Sequence, residues 1–228
     1  RQVESGNVRS LYLIGSDIAH TDPDNLAVIK ALSGLDLLIV QDIFMCETAK
    51  LAHVILPAAS FLESDGTYTN GERRIQRVRK AIDPPGQAKQ DWIIVSELAE
   101  ALGHPIISSN DVSDIWDELA SLTPNFRGID YSNLDNSVSV QWPKPTADHP
   151  GTSIMHVGEF SRGLGNFAAP EYAEPNEQAS EEYPFILITG RNLFHYNAGT
   201  QTRRTGLSEF RETDLLEMHP VDANEMGI

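Results

Sequence analysis

The first sixty residues alternate between short apolar runs and stretches with helical spacing. Apolar runs at 10–14, 37–40 and 54–56 predict three buried strands. Between residues 21 and 34, a Thr-Asp-Pro-Asp start, apolar side chains at helical spacing and a terminal glycine predict a helix. A shorter helix is predicted over 48–53. Strand, helix and strand joined by short connections predict a parallel β-α-β unit with a right-handed crossover.

The rest of the chain divides into a helical part and a strand-led part. Amphipathic patterns predict helices over 91–102 and 112–122. After about residue 125 the pattern loosens into Gly, Pro, Asn and Ser. The run PFILITG at 184–190 predicts a strong buried strand, and 215–227 contains a further helix candidate.

An acidic stretch separates the two parts. No Lys or Arg lies between Arg162 and Arg191, whereas glutamates accumulate there beside two prolines. This composition predicts a solvated linker or long surface loop. We therefore expect a boundary near residue 180, with domains at 1–178 and 179–228.

Charge and cysteine content exclude several classes of partner and site. The 228 residues carry 17 Lys and Arg against 33 Asp and Glu, a formal net charge of −16. This balance argues against nucleic acid or an anionic membrane as a main partner. Cys46 is the single cysteine, so no intramolecular disulfide or cysteine-rich metal site can form from this segment. The basic run at 73–80 suits an extended segment whose charges pair with the chain's own carboxylates.

No sequence feature predicts membrane insertion. No window of 18 consecutive apolar residues and no signal peptide are visible. The chain begins with Arg1 and ends soon after a helix-like stretch, which we interpret as a piece of a longer protein. We expect a cytoplasmic location and no direct membrane contact.

Two polar loops follow the first two predicted strands, where open parallel sheets bind ligands. The first loop contains Gly15, Asp17 and Thr21, and the second begins with Gln41 and Asp42. Carboxylates, backbone N–H groups and a hydroxyl suit a nucleoside and its phosphates. A helix-cap or turn role for Asp17 remains an alternative. The first loop lacks the G-x-G-x-x-G fingerprint, which weighs against NAD or FAD.

A third polar loop, at 190–200, follows the predicted strand of the second part. It contains guanidinium, imidazole, amide and hydroxyl groups within eleven residues. This combination suits recognition of anions and heterocycles. An ordinary polar surface loop remains the alternative. Neither an H-E-x-x-H motif nor a G-x-S-x-G elbow supports a zinc protease or a serine hydrolase.

Several of these segments together carry a family resemblance. They are LYLIGSD at 11–17, the stretch from VQDIFMCETAK to RRIQRVRKA at 40–81, DW at 91–92, QWP at 141–143, PGTS at 150–153 and YPFILITGRNLFHYNAGTQTRR at 183–204. With them, the chain resembles the C-terminal portion of molybdopterin oxidoreductases, most closely the alpha (catalytic) subunit of formate dehydrogenases. The resemblance covers nearly the whole chain in the family's order.

The resemblance implies a fold, a cofactor and a reaction. It implies an α/β fold, with a Rossmann-like parallel-sheet domain followed by the truncated start of a six-stranded β-barrel. The implied cofactor is bis(molybdopterin guanine dinucleotide) with molybdenum or tungsten. The implied reaction of the full-length enzyme is the two-electron oxidation of formate to CO2, with electron-transfer subunits as partners.

The resemblance also implies site residues. Asp17 and Thr21, in the first loop with Gly15, match positions that contact one guanosine. Gln41 and Asp42 match the second cofactor-binding loop, and Asp91 matches the aspartate that meets the guanine. Ser64 stands where relatives often carry a cofactor-contacting lysine or histidine. The positions that match the block around the cofactor's phosphates and pterin are Gly190, Arg191, Asn192, His195 and Asn197.

The chemistry itself is expected outside this chain. In the family the metal ligand, the catalytic residues and the cysteines of a 4Fe-4S cluster lie upstream, so we expect no catalytic or metal-ligating residue here and no formate oxidation by the isolated chain. Cys46 stands where the family often has threonine and is not interpreted as the metal ligand. Two alternatives remain, the large iron–sulfur subunit of NADH dehydrogenase and a metal-free nucleotide-binding or assembly module.

Overall fold

The computed structural model describes residues 2–106, 111–136 and 139–228, and the chain forms two compact units. The first comprises Arg1–Ser16 and Ile29–Ala169, and the second comprises Asp17–Val28 and Pro170–Ile228. Among the described residues, no helix is long and apolar enough to cross a bilayer.

A three-stranded parallel sheet opens the first unit. Its strands are β1 (Ser10–Ile14), β2 (Leu37–Asp42) and β3 (Val54–Pro57), in the order β1-β2-β3. Helices α1 (Ile18–Thr21) and α2 (Asn25–Ser33) lie in the connection from β1 to β2. Leu38 and Val40 on β2 are fully buried because this strand lies at the centre of the sheet. The predicted parallel β-α-β unit is confirmed, although the predicted helix over 48–53 is only a 3₁₀ turn, Ala49–Leu51.

A second sheet in this unit is antiparallel. It consists of β4 (Gly66–Thr69), β5 (Arg74–Val78) and the short β6 (Val140–Gln141), with β5 at its centre. In the turn between β4 and β5, Asn70 Oδ1 accepts hydrogen bonds from the backbone N–H groups of Glu72 and Arg74. Residues 74–78 of the basic run form β5, as the pattern predicts, whereas Arg73 lies in the turn with a φ of +64°.

Three helices complete the first unit, and the second and third of them pack against the antiparallel sheet. They are α3 (Asp91–Ala101), α4 (Val112–Leu122) and α5 (Tyr131–Asn136), and the first two confirm the predicted helices. Trp116 on α4 packs in a buried cluster with Ile75 and Leu134, and its Nε1–H donates to the carbonyl of Ile129 at 2.8 Å. This cluster is the core that fixes α4 and α5 against β5.

The second unit contains little regular structure. Its C-terminal helix α6 (Pro220–Met226) begins where the proline predicts, and His219 Nδ1 accepts from the Val221 N–H at its start. The described residues from 170 to 190 are irregular and exposed, which confirms the predicted loop character of the acidic stretch.

The strand predicted over 184–190 is wrong. Ile186 and Ile188 are 64% and 86% exposed, and the described residues of the second unit form no strand. A strand persists only when neighbouring strands satisfy its backbone groups and cover its side chains, and residues 170–228 supply no such neighbour. The expected six-stranded barrel is therefore not confirmed, whereas the coarser assignment, mixed α/β with small parallel and antiparallel sheets, is confirmed.

Candidate functional site

The ends of β1 and β2 create an accessible stretch of backbone. The parallel register pairs Ile14 with Gln41, so the next residue, Gly15, donates its N–H to the Gln41 carbonyl at 2.8 Å. Gly15 has a φ of +59°, and a Cβ built there would meet no atom within 4 Å. A ligand can approach this backbone closely, which a side chain at this position would hinder.

A chain of three polar side chains lies beside this backbone. Gln41 is fully buried, and its Nε2–H donates to Asp91 Oδ1 at 2.6 Å. The Tyr12 hydroxyl donates to Gln41 Oε1. The structure therefore brings together Gln41 and Asp91, two predicted site residues that are 50 positions apart.

Tyr12 belongs to this arrangement although the sequence pattern did not single it out. It lies on β1 in an otherwise aliphatic run, and that tyrosine is the only signal that a polar partner is needed nearby. Burial is the main cause that raises the pKa of Tyr12 above its ordinary value, and the negative charge of Asp91 raises it further. Both causes keep the phenol protonated and able to donate.

Asp91 is the exposed end of this chain of side chains. It is the first residue of α3, where a carboxylate interacts favourably with the helix dipole. Among the described residues, Gln41 is its only hydrogen-bond partner, through one carboxylate oxygen. The other oxygen remains accessible to a ligand that offers N–H donors.

Asp42 has a different environment from Asp91. Its Oδ1 accepts from the Phe44 backbone N–H at 2.9 Å, and its Oδ2 lies 3.9 Å from the Sγ of buried Cys46. Both carboxylate oxygens therefore engage the chain's own loop after β2.

Ser64 has a local partner, and its neighbour connects it to the start of α3. Its Oγ donates to the Ser60 carbonyl at 2.8 Å. The Asp65 backbone N–H donates to Gln90 Oε1 at 3.0 Å. The segment after Ser64 is thereby tied to the residue that precedes Asp91.

Asp17 and Thr21 belong to the second unit. The backbone carbonyl of Asp17 accepts from the N–H groups of His20 and Thr21, which starts α1. Asp17 is buried, at 6% exposure, and its side chain caps none of the described N–H groups of this helix.

The remaining predicted residues lie in one segment of the second unit. His195 is buried, with its Nε2 2.7 Å from the Arg211 carbonyl and its Nδ1 3.2 Å from Thr202 Oγ1. Because a carbonyl only accepts, Nε2 carries the proton. Both ring nitrogens thus hold the segment's own fold.

The residues around His195 are more open. Asn192 Oδ1 accepts from the Phe194 N–H at 2.8 Å, and Asn197 adopts a left-handed φ of +50°. Gly190 and Arg191 are exposed. In the described parts of the chain, no group of three or more His, Cys, Asp or Glu side chains is arranged to hold a metal ion.

Comparison with known families places two matches on this chain. Residues 1–101 match the family described as Molybdopterin oxidoreductase. Residues 185–228 match the Molydopterin dinucleotide binding domain. The first match contains Tyr12, Gln41 and Asp91, and the second contains the segment around His195.

Curated proteins similar to this chain include two formate dehydrogenases. The F420-dependent formate dehydrogenase subunit alpha of Methanocaldococcus jannaschii is 47% identical over 99% of this chain and 34% of that protein. Formate dehydrogenase H of Escherichia coli is 37% identical over 98% of this chain and 32% of that protein. The assimilatory nitrate reductase catalytic subunit of Bacillus subtilis is 36% identical over 100% of this chain and 33% of that protein.

These relatives are longer than the chain, which spans about a third of their length. Among solved structures, acetylene hydratase from Pelobacter acetylenicus superposes with a TM-score of 0.68 at 21% identity. The match covers 96% of this chain and 32% of that protein, and it shows a shared fold.

Proposed function

We propose that this chain, which belongs to the molybdopterin oxidoreductase family, holds one guanosine end of a bis(molybdopterin guanine dinucleotide) in a longer formate dehydrogenase. The observation that carries the proposal is the exposed Asp91 carboxylate, anchored through one oxygen by fully buried Gln41. The cofactor, with molybdenum or tungsten, supplies the two-electron redox chemistry when bound. The residues of this chain bind and orient it.

The residues at the sheet edge fit a guanine nucleotide. Guanine presents N1–H and N2–H donors on one edge, and a carboxylate is their natural acceptor. Asp91 offers such an acceptor, while the open backbone at Gly15 allows the ribose and phosphates to pack closely against it. Asp17, Thr21, Asp42 and Ser64 are proposed as further contacts to the nucleotide.

The second unit is proposed to hold the anionic and pterin parts of the cofactor. Exposed Arg191 and the amides of Asn192 and Asn197 are suitable donors to phosphate and pterin oxygens. Gly190 leaves backbone accessible beside them, and His195 supports the segment from inside. We assign residues 1–178 to the α/β domain and 179–228 to the dinucleotide-binding domain, whose six-stranded barrel remains a prediction for the longer protein.

Formate is the proposed substrate of the longer protein because the names of its relatives at 45–47% identity specify formate dehydrogenase alpha subunits. Electron-transfer subunits are its proposed partners. Those relatives favour this assignment over an NADH dehydrogenase subunit, and the dinucleotide-binding match favours it over a metal-free module. Nitrate is the second candidate substrate because a nitrate reductase catalytic subunit is 36% identical over the whole chain.

The test is a composition analysis of the purified full-length protein. We expect molybdenum or tungsten together with iron, GMP released on acid hydrolysis, and formate oxidation with an artificial electron acceptor. Nitrate reduction without formate oxidation would replace the substrate assignment. Iron without molybdenum or tungsten, or neither metal, would refute the cofactor assignment.

A substitution locates the cofactor contact. Asp91→Ala removes a charged acceptor worth roughly 1.5–3 kcal/mol, so we expect less GMP and less metal per protein. Asp114→Ala is the matched control, because Asp114 is also an exposed acid in the first turn of a helix, α4. Equal cofactor content in both variants would exclude Asp91 as the guanine contact.

A further inference from the structure

The hydrogen-bond chain from Tyr12 to Asp91 has a fixed direction. The carboxylate of Asp91 only accepts, so the NH2 end of the Gln41 amide must face it. This orientation leaves Gln41 Oε1 toward Tyr12, and the phenol must then donate. Each group thus sets the orientation of the next.

We infer that Tyr12 is a positioning residue for guanine recognition, which acts through Gln41 to hold the Asp91 carboxylate in its base-accepting orientation. The inference rests on the proposed function and extends it to a residue that does not itself contact the nucleotide.

Burial makes this arrangement sensitive to the Tyr12 hydroxyl. Gln41 has no exposed surface, and among the described residues its side chain bonds only with Tyr12 and Asp91. Without the phenol, Gln41 Oε1 becomes a buried acceptor that water reaches only if the site opens. The amide then gains from rotating away, and Asp91 loses its anchor.

The experiment is a calorimetric titration of the full-length apoprotein with GDP and with IDP, which lacks the exocyclic amine of guanine. We expect Tyr12→Phe to weaken GDP binding about tenfold, as one unsatisfied buried acceptor predicts. The preference for GDP over IDP should fall as well, because a loosely held Asp91 carboxylate no longer accepts a well-aligned hydrogen bond from the exocyclic amine of guanine. Tyr68→Phe is the control, because Tyr68 is exposed on β4, and it should leave both affinities unchanged.

A double-mutant cycle separates positioning from general destabilisation. If Tyr12 acts through Asp91, Tyr12→Phe should change GDP affinity less than twofold in an Asp91→Asn background. A full additional tenfold loss in that background would overturn the inference.

A second measurement does not depend on how well the phenylalanine variant folds. Part of the raised pKa of Tyr12 comes from the charge of Asp91, so Asp91→Asn should lower the titration midpoint of the Tyr12 phenol, followed by NMR of its isotopically labelled ring. An unchanged midpoint would show that Tyr12 and Asp91 are not coupled.

The proposed function and this inference fail in different ways. Bound GMP and molybdenum or tungsten in the full-length protein support the proposed function whether or not Tyr12 matters. An unchanged GDP affinity and an unchanged GDP-to-IDP ratio in Tyr12→Phe would then overturn the positioning role alone. No GDP binding by the unsubstituted apoprotein would overturn both.

Discussion

Arg77 is the side chain whose removal we expect to destabilise the first unit most clearly. It lies on β5, is only 11% exposed, and donates to Asp65 Oδ1 at 2.5 Å and to Asp135 Oδ1 at 3.1 Å. Its guanidinium also lies 4.1 Å from the ring centroid of Tyr131. Arg77→Met keeps a long apolar stem and removes all three interactions.

The magnitude follows from the exposure of the partners. A partly desolvated cation–π contact contributes about 1 kcal/mol, and a hydrogen bond between charged groups contributes about 1.5–3 kcal/mol. The Asp65 and Asp135 side chains are 34% and 48% exposed, so water solvates both carboxylates after the substitution. This solvation reduces the contribution of the two ion pairs to the lost stability. We therefore expect a loss of about 2 kcal/mol.

Urea unfolding of the chain followed by tryptophan fluorescence measures this loss, because all three tryptophans lie in the first unit. Arg79→Met is the control: Arg79 bonds the same Asp135 at 2.6 Å but is 58% exposed, so its loss should stay below about 0.5 kcal/mol. Arg77→Lys should fall between the two because it keeps the charge without the planar fork. Equal losses for Arg77→Met and Arg79→Met would refute the argument from burial and ring contact.

Two further predictions concern backbone packing and a helix cap. Gly128→Ala should lower the free energy of unfolding by about 2 kcal/mol in the same assay, because its Cβ would lie 2.1 Å from the Thr146 carbonyl oxygen. Gly71→Ala is the control and should change this free energy little, because its Cβ would meet no atom within 4 Å. The hydrogen bond from the Ser113 backbone N–H lowers the pKa of Asp111 at the start of α4. The charged cap therefore stabilises the fold at pH values above the pKa of Asp111 in the unfolded chain. This stabilisation is lost as the pH falls through the lower pKa of Asp111 in the folded chain. The difference in melting temperature between the parent chain and Asp111→Ala should therefore be present at pH 7 and shrink in acid, and a difference that is independent of pH would contradict the charged cap.

The parallel sheet could be predicted because its information is local. Each apolar run near 10–14, 37–40 and 54–56 is short enough to be a strand, and the helical spacing between the first two fixes the crossover. The same local signal at 184–190 failed, since a strand also needs neighbours that the second unit does not form. Apolar content therefore indicates that a segment is suited to burial, but it does not show that a neighbouring strand is present to cover it.

The site was only partly predictable for a related reason. Loop position after a strand pointed to Gln41, and family likeness pointed to Asp91, but neither shows that the two side chains meet across 50 residues. Tyr12 was missed altogether, because its role depends on the direction of one hydrogen bond to a buried amide. Such directions are set by tertiary contacts, which spacing along the chain does not encode.

The basic run illustrates the opposite case, where charge balance alone was informative. In so acidic a chain, the expected partners of these cations are its own carboxylates, and Arg74, Arg77 and Arg79 do pair with Glu72, Asp65 and Asp135. The run therefore consolidates the antiparallel sheet. No basic patch for a polyanion results from it.

Two carboxylates at the edge of the parallel sheet have distinct roles that follow from their hydrogen bonds. Both carboxylate oxygens of Asp42 interact with its own loop, one with the Phe44 N–H and the other with Cys46. One carboxylate oxygen of Asp91 accepts a hydrogen bond from Gln41, and the other remains accessible. Under the proposed function, a ligand base would find a preoriented acceptor at Asp91, whereas the contacts of Asp42 shape the loop after β2. Gln41 lies on the central strand β2 and Asp91 begins α3, so the acceptor rests on two regular elements. Under the proposed function, the base would therefore not need to order this acceptor on binding.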